Sequence, residues 1–357
     1  MDPRIQQYAK LLVERSIDVQ PGWQVLVRSS VLARPVVEEI VRLIARRDAY
    51  ALVRLSFTGV GESVWQAEAP LERLGTLAPL WVTEADTVDA RITIWAPENT
   101  REESNLDEER RRILNKTWEP LFKRVMANEL PWVIGNYPVP SLAQDAGMSL
   151  GEYEDFFYGA CLLDWDAFSA ELDRVKERFD RADEIRVVAD GTDVTLSISG
   201  REALADDGHI NMPGGEIFFG PVENATNGVI EFSEFPAVYS GHEVAGARLV
   251  FEDGRVVDAS AETGEEFLIQ TLDTDEGARV LGELGIGCNP GITRYMKDVG
   301  FDEKIAGTVH FALGGSYPQT GGTNESAIHW DLVKDLRAGG KIFLDGELVQ
   351  EDGQWRF

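Results

Sequence analysis

Two of the four histidines in this chain lie in one short stretch near its end, from Gly307 to Val333. His310 stands in the apolar run TVHFALG, and His329 stands in AIHWDLV with Asp331 two residues further on. Residues i and i+2 of a strand point to the same face, so the His329 imidazole and the Asp331 carboxylate are expected side by side. Two imidazoles and a carboxylate on neighbouring strands are typical of a transition-metal site. The competing interpretation is that each histidine is an ordinary core residue with satisfied hydrogen bonds.

Three glutamates in the same half of the chain extend this ligand set. Glu216 stands between glycines and an apolar run in NMPGGEIFFG, Glu283 ends a predicted helix in LGELGIG, and Glu303 precedes His310 by seven residues. Spacing alone favours a surface position for Glu283 and an exposed turn for Glu303, whereas burial of either carboxylate requires a partner. Three glutamates, one aspartate and two histidines together suit two divalent cations bridged by a carboxylate. Two such cations activate water and polarise a carbonyl, as in metal-assisted hydrolysis.

Tyr317, in GGSYPQTGG, is a candidate hydrogen-bond donor to a developing oxyanion, and otherwise a packed aromatic residue beside a turn. The remaining histidines are weaker candidates, because His209 follows a turn signal and His242 lies in a predicted hairpin. A serine nucleophile is not indicated, since the sequence has no G-x-S-x-G motif.

The first half of the chain alternates strands and helices, which predicts an α/β domain over residues 1–183 with a parallel sheet and crossover helices. Its predicted strands cover residues 24–30, 50–56, 90–97 and 131–138. Its predicted helices cover residues 3–17, 34–47, 102–126, 149–163 and 165–181. No glycine-rich phosphate loop follows the first strand, so the pattern assigns no nucleotide to this domain.

The second half, residues 184–357, is predicted to be a β-rich α+β domain that carries the metal site. Asp-Gly turn signals lie between alternating runs in EIRVVADGTDVTLSISG, ARLVFEDGRVVDASAE and KIFLDGELVQEDG, which is typical of antiparallel hairpins. One predicted helix, from Gly264 to Gly282, interrupts the strands.

Composition limits the classes of partner. The 357 residues are 43% hydrophobic, which is enough for two domains, and carry a net charge of −28. So negative a chain is expected to bind neither nucleic acid nor an anionic membrane. Two distant cysteines give no disulfide framework, and there is neither a secretory signal nor an apolar run of about 20 residues that could span a bilayer. A cytoplasmic protein is therefore expected.

Longer stretches resemble a known family along essentially the whole chain. They include APENTRE at 96–102, the run AGMSLGEYEDF at 146–156, NMPGGEIFFGPVENATNG, LDTDEGARVLGELGIG, FDEKIAGTVHFALG and NESAIHWDLV. Together they are similar to the aminopeptidase T family of metallopeptidases, also called thermophilic aminopeptidases.

The resemblance implies a dinuclear metallo-aminopeptidase. It implies that two divalent metal ions per chain, zinc or cobalt with manganese or magnesium as alternatives, are bound by Glu216, Glu283, Glu303, His310, His329 and Asp331. It makes Tyr317 the active-site tyrosine, with Glu216 or Glu283 as the proton carrier. The implied substrates are peptides with a free N-terminus, and the implied assembly is a homodimer.

Two other functions fit part of this pattern. His310, His329 and Asp331 alone could form the facial triad of a mononuclear Fe(II) ring-cleaving dioxygenase on the same fold, although such a site has no need of Glu216 and Glu283. A non-enzymatic metal-dependent structural or peptide-binding protein is the second alternative, and in that case Tyr317 would be dispensable.

Overall fold

The computed structural model of the protein describes residues 2–57, 63–102, 106–126 and 129–357. The α-helices, in chain order, are α1 (Pro3–Lys10), α2 (Arg34–Arg46), α3 (Ser63–Glu68), α4 (Leu71–Leu74), α5 (Pro79–Thr87), α6 (Glu108–Met126), α7 (Pro140–Asp145), α8 (Leu150–Cys161), α9 (Trp165–Phe179), α10 (Glu265–Leu272) and α11 (Val299–Asp302). A π-helical turn (Leu11–Ser16) continues α1, and short 3-10 turns cover Val31–Ala33 and Pro318–Thr320. No helix in the described part of the chain is long and apolar enough to cross a membrane.

The strands, in chain order, are β1 (Gln24–Ser30), β2 (Tyr50–Ser56), β3 (Ala90–Trp95), β4 (Trp132–Asn136), β5 (Glu184–Ala189), β6 (Thr192–Ser197), β7 (Leu204–Asp206), β8 (Asn211–Met212), β9 (Glu216–Phe219), β10 (Asn227–Phe232), β11 (Ala237–Tyr239), β12 (His242–Val244), β13 (Ala247–Glu252), β14 (Arg255–Ser260), β15 (Leu281–Gly287), β16 (Thr308–Gly314), β17 (His329–Asp335), β18 (Lys341–Leu344), β19 (Glu347–Glu351) and β20 (Gln354–Trp355).

The chain forms two compact units. The first contains residues 1–162 together with 208–213, and the second contains residues 163–207 and 214–357. In this division α9 belongs to the second unit, and the short strand β8 returns to the first. The domain boundary at about residue 183 stays a prediction.

The first unit is built on a parallel sheet with the strand order β2-β1-β3-β4-β8. The connection from β1 to β2 runs through α2, whose buried side chains recur at helical spacing at Val36, Val37, Ile40, Leu43 and Ile44. Such spacing places one apolar stripe of the helix against the sheet. The predicted α/β class, parallel sheet and crossover helices are confirmed.

The second unit is strand-rich and antiparallel. An eight-stranded sheet has the order β14-β13-β10-β6-β5-β18-β19-β20, and a five-stranded sheet has the order β17-β16-β15-β9-β7. The three predicted hairpins are confirmed as the pairs β5/β6, β13/β14 and β18/β19. In the last two hairpins the Asp-Gly dipeptides have positive φ at both residues, as a two-residue type I′ turn requires.

The helix predicted from Gly264 to Gly282 is wrong in its second half. Helix α10 ends at Leu272, and Glu283 lies within strand β15 rather than at a helix end. One reason is that the Asp275 carboxylate accepts hydrogen bonds from Ser326 and from the backbone N–H of Ala327, which ties this segment to a distant part of the chain. The following run, LGELGIG, is buried along its whole length between β9 and β16. A short apolar run of this kind does not distinguish a buried helix from a buried strand.

Candidate metal centre

The five-stranded sheet of the second unit brings the predicted ligands together. Glu216 begins β9, Glu283 lies in β15, His310 lies in β16, and His329 and Asp331 lie in β17. Because β9, β15, β16 and β17 are consecutive neighbours in the sheet, residues more than a hundred positions apart in sequence meet on one face. The predicted pairing of the two histidine-bearing strands is confirmed.

The imidazole nitrogens face the carboxylates across short distances. His310 Nε2 lies 2.9 Å from Glu283 Oε1, 3.7 Å from Glu216 Oε2 and 4.0 Å from Asp331 Oδ1. His329 Nε2 lies 3.6 Å from Glu283 Oε2 and 3.6 Å from Asp331 Oδ1. The side-by-side placement of His329 and Asp331 expected from their spacing is therefore present.

Two overlapping groups of donor atoms have the spacing of metal ligands. Glu216, Glu303 and His310 form one group, and Glu283, His310 and Asp331 form the other, with the donor atoms of each group within 4.8 Å of one another. His310 is common to both groups, and His329 flanks the second through its contacts with Glu283 and Asp331.

Glu283 and Glu303 are buried, although their spacing in the sequence favours exposed positions. Glu283 is only 4% exposed, so its expected surface position is wrong. Glu303 follows α11 and its side chain is 14% exposed, so it is not an exposed turn residue. Both carboxylates belong to the interior cluster instead.

Backbone carbonyls orient both imidazoles. His310 Nδ1 lies 3.2 Å from the Glu303 carbonyl oxygen, and His329 Nδ1 lies 2.8 Å from the Gly315 carbonyl oxygen. A carbonyl oxygen only accepts hydrogen bonds, so each Nδ1 carries the proton and donates. In the neutral imidazole this leaves Nε2 free to face the carboxylates, which is how metal-binding histidines are commonly held.

Lys304 is a component of the site that the sequence pattern did not reveal. Its ammonium group is fully buried, lies 2.9 Å from Glu216 Oε1 and also forms an ion pair with Glu303. Burial alone would lower the pKa of Lys304, but Glu216 and Glu303 raise it well above its usual value. The available signal was a lysine directly before an apolar run, in FDEKIAGTVHF, which is where a buried lysine needs acidic partners.

Three buried carboxylate oxygens of the cluster have no hydrogen-bond partner among the described residues. They are Glu216 Oε2, Glu283 Oε2 and Asp331 Oδ1. An unpaired buried carboxylate oxygen is costly, and cation coordination is one of the few arrangements that removes the cost. Two imidazole nitrogens and several carboxylate oxygens are the donor set that zinc and other first-row transition metals prefer. The residues present therefore fit divalent cations.

The metal-free cluster has strongly displaced pKa values. Burial would lower the pKa of His310, but the Glu283 hydrogen bond and the Glu216 charge raise it to about 10. Burial likewise opposes protonation of His329, and Asp331 raises its pKa to about 10. Burial would raise the pKa of Asp331, but His329 lowers it to about 2. Burial raises the pKa of Glu216 to about 8 against the opposing effect of Lys304.

Tyr317 lies on the solvent side of the cluster, just after β16. Its ring makes edge contacts with His329 and Phe218, with centroids 5.2 and 5.6 Å away, and the residue is 38% exposed. Partial burial and the negative charge of Glu283 raise the pKa of the phenol, so its O–H stays protonated and can donate. The two weaker histidine candidates lie elsewhere, since His242 stacks on Phe267 and His209 belongs to the first unit.

The chain is similar to known metalloproteases and aminopeptidases. Residues 1–355 match the family model described as thermophilic metalloprotease (M29). The chain is 27% identical to Aminopeptidase 2 of Geobacillus stearothermophilus across 100% of this chain and 98% of the relative, and 34% identical to Aminopeptidase T of Thermus aquaticus across 46% and 44% of the two chains. A solved structure, wild-type AmpT from Thermus thermophilus, superposes with a TM-score of 0.86 over 99% of both chains at 22% identity, which supports the fold.

Gly285 provides the space that His310 occupies, which gives a first prediction. A Cβ atom at Gly285 would overlap the His310 imidazole ring. We expect Gly285→Ala to displace the imidazole and to weaken Co²⁺ binding by about tenfold or more, as other changes to ligand orientation do. Calorimetric titration of the metal-free protein measures this. Gly151→Ala in α8 is the matched control, because a Cβ there has no neighbour within 4 Å. Equal affinity in both variants would contradict the prediction.

Removal of Lys304 should destabilise the metal-free protein. Lys304→Met leaves the buried Glu216 and Glu303 carboxylates without their cation, so we expect the free energy of unfolding at pH 8 to fall by about 3–5 kcal/mol. The control is Lys297→Met, which breaks a half-exposed ion pair with Glu243 and should cost less than about 1 kcal/mol. Urea denaturation measures both, and similar losses would argue against Lys304 as the counterion.

Proposed function

This chain belongs to the thermophilic metalloprotease family M29, and from that premise we propose how it acts as a metal-dependent aminopeptidase. Its buried carboxylate–imidazole cluster binds two divalent cations, at which the first peptide bond of a peptide is hydrolysed. The observation that carries this proposal is that three buried carboxylate oxygens, which have no hydrogen-bond partner among the described residues, converge with two imidazole Nε2 atoms. That arrangement stabilises the chain poorly when it is empty of cations, and it matches the chemistry of the family.

The two donor groups suggest how the ligands divide between the cations. Glu216 and Glu303 would serve one cation, Glu283, Asp331 and His329 would serve the other, and His310 belongs to both groups. Glu283 would be the bridging ligand, because its two oxygens face different imidazoles, Oε1 facing His310 and Oε2 facing His329. Nitrogen donors favour zinc or cobalt, while manganese or magnesium would rely mainly on the carboxylates.

When bound, the cations supply Lewis acidity, which lowers the pKa of water and polarises a carbonyl group. The side chains of the protein determine how a peptide reaches them. Tyr317 is 38% exposed and the side chain of His329 is 30% exposed, whereas His310 is fully buried, so the substrate approaches over the tyrosine and His329. From that position the Tyr317 O–H would donate a hydrogen bond to the oxyanion that develops on the scissile carbonyl.

Hydrolysis also requires transfer of a proton from water to the departing amine. Glu216 and Glu283 are the carboxylates we assign to this step, because each has one oxygen with no hydrogen-bond partner among the described residues. Lys304 holds the other oxygen of Glu216, and His310 holds the other oxygen of Glu283, so each free oxygen has a fixed direction. An oxygen held in this way that does not coordinate a cation can accept a proton and return it without reorienting, so Glu216 would carry the proton if both oxygens of Glu283 bridge the cations.

The substrate class follows from the family membership. Peptides with a free N-terminus are the substrates that an aminopeptidase acts on. The negative field of a chain with net charge −28 attracts the cationic α-amino group of such a peptide. The homodimer and the cytoplasmic location stay predictions.

The dioxygenase alternative receives no support from the family match or the named relatives. A mononuclear iron site would use His310, His329 and Asp331 and would leave the unpartnered oxygens of Glu216 and Glu283 without a role. Bound-metal stoichiometry distinguishes the alternatives, since the peptidase binds two cations per chain and the oxygenase one iron.

Activity should depend on both metal and Glu283. We expect the metal-stripped protein to leave aminoacyl-p-nitroanilides and short peptides uncleaved, and to regain cleavage with Zn²⁺, Co²⁺ or Mn²⁺. Glu283→Gln should lower kcat/KM by about 10²-fold or more, because an amide cannot serve as an anionic bridge or proton carrier. The matched control is Glu252→Gln, an exposed glutamate in β13, which should retain full activity. Absence of cleavage of both substrate types with every metal would refute the aminopeptidase function.

Metal binding should release protons. In the metal-free protein the pKa values of His310 and His329 are raised to about 10, so both imidazoles are protonated at pH 7. Only a neutral imidazole coordinates a metal, so binding at pH 7 displaces about two protons from the histidines and about one more from Glu216, whose pKa is raised to about 8. The affinity therefore rises with pH below 10. Calorimetric titration with Zn²⁺ in buffers of different ionisation enthalpy counts these protons. A His329→Gln variant should release about one proton fewer, and an enthalpy independent of the buffer would contradict the prediction.

A further inference from the structure

One face of the parallel sheet in the first unit carries three arginines. Arg28, Arg54 and Arg91 come from the neighbouring strands β1, β2 and β3. Arg28 and Arg54 are directly paired in register, and Arg91 pairs with Leu26, two residues before Arg28 on the same face. Inner strands of parallel sheets are normally apolar on both faces because helices cover them. Like charges at adjacent positions are also unfavourable, so this arrangement needs a specific explanation.

This face lines a cavity of about 470 Å³ within the first unit. Helices α3, α5 and α6 form the opposite wall, and four tryptophans contribute to the lining: Trp65, Trp81, Trp95 and Trp118. Three of these rings form a chain of edge-to-face contacts, with 5.8 Å between Trp65 and Trp81 and 6.4 Å between Trp81 and Trp118. Such a volume and such aromatic walls are typical of sites for small molecules.

The cavity is cationic although the chain as a whole is strongly acidic. Among the described lining residues, the three arginines face a single carboxylate, that of Glu84, in a chain whose net charge is −28. Glu84 is already engaged, since its Oε2 lies 2.6 Å from Arg54 Nε. The lining as a whole thus carries more arginines than carboxylates, and its one carboxylate pairs with Arg54.

Arg91 shows most clearly that arginines outnumber carboxylates in the cavity lining. Its Nε donates to Thr93 Oγ1 over 3.2 Å, and its guanidinium lies over the Phe122 ring at 4.9 Å from the centroid. It has no ion-pair partner among the described residues. Burial and the neighbouring Arg28 lower the pKa of Arg91 to about 10, and burial also lowers the pKa of Arg28. A bound anion would offset this cost, and guanidinium groups bind carboxylates and phosphates through paired hydrogen bonds.

We propose that this cavity binds a small ligand with an anionic carboxylate or phosphate group on an aromatic body. Arg91 holds the anionic group, and the tryptophan rings pack against the aromatic body. None of the residues assigned to the metal centre lines this cavity, so the site is additional to the peptidase function.

Tryptophan fluorescence and calorimetry test the ligand class with defined probes, since four of the nine tryptophans line the cavity. Indole-3-acetate should bind at least about tenfold more tightly than its neutral analogue indole-3-acetamide, as expected for a charge-assisted contact. Phenyl phosphate should bind at least about tenfold more tightly than inorganic phosphate, because packing of one aromatic ring is worth that much or more. Phenylacetate has the same ring as phenyl phosphate, so the tighter of these two identifies the anionic group as carboxylate or phosphate.

Variants of Arg91 test the site itself. Arg91→Met should abolish the preference for indole-3-acetate over the amide, whereas Arg91→Lys should retain part of it. The matched control is Arg46→Met, which removes an exposed arginine at the end of α2 and should bind as the unmodified protein does. Replacement of a buried charge by an apolar side chain of similar length need not destabilise the fold, so the unfolding midpoint of Arg91→Met is measured alongside.

Three results would overturn the proposal. One is equal affinity for the acetate and the amide in the unmodified protein, and another is no saturable binding of any probe at millimolar concentration. The third is an unchanged preference in Arg91→Met. Peptidase activity measured in the same preparations shows that the protein is folded in each case.

Discussion

Charge balance inside the five-stranded sheet is the constraint on which the rest of the second unit depends. Four carboxylates, those of Glu216, Glu283, Glu303 and Asp331, are gathered there with one fully buried lysine and two imidazoles. In the metal-free protein Lys304 and the two protonated histidines face these carboxylates, and Glu216, whose pKa is raised to about 8, is itself mostly protonated at pH 7. Protons and divalent cations thus compete for the same buried oxygens and nitrogens, and the raised pKa values of the histidines measure the strength of that competition.

The sheet satisfies this constraint through register and through one small residue. Antiparallel pairing sets Gly285 of β15 against His310 of β16, and Gly287 of β15 against Glu216 of β9. Glycine at 285 leaves room for the imidazole to lie across the neighbouring strand, where its Nε2 reaches Glu283. Backbone carbonyls of Glu303 and Gly315 then fix the direction of both rings. The geometry is held by main-chain atoms and buried strands, so it depends little on exposed side chains.

The sequence predicted those parts of the centre that follow from local periodicity. Alternation along a strand placed His329 beside Asp331, and two β-like runs separated by a glycine-rich loop predicted the approach of His310. Periodicity could not place Glu283, because LGELGIG is apolar throughout and is compatible with a helix end or a buried strand. Nor could it reveal that Glu303 is buried, since that depends on Lys304, whose partners lie both next to it and 88 positions earlier in the chain.

The parallel sheet was predicted correctly, but the sequence did not indicate that the arginines within QVLVRSS, YALVRLS and ARITIW lie together. Each strand shows one arginine, and only the register reveals that they share a face.

The metal centre and the arginine-lined cavity contain buried groups of opposite charge, and the same physical constraint applies to both. A protein interior tolerates like charges only where they are paired, hydrogen-bonded or neutralised by something that binds. In the second unit the buried carboxylates are compensated in part by Lys304, and in the first unit the buried arginines are compensated in part by the Glu84–Arg54 pair. Each compensation is incomplete, which leaves Glu216 Oε2 without a hydrogen-bond partner among the described residues and Arg91 without an ion pair there. A ligand that completes either balance binds the folded chain in preference to the unfolded one and so raises its stability by mass action. Buried charges that are only partly compensated therefore lower the stability of each unit, and the same charges determine which ligand that unit binds.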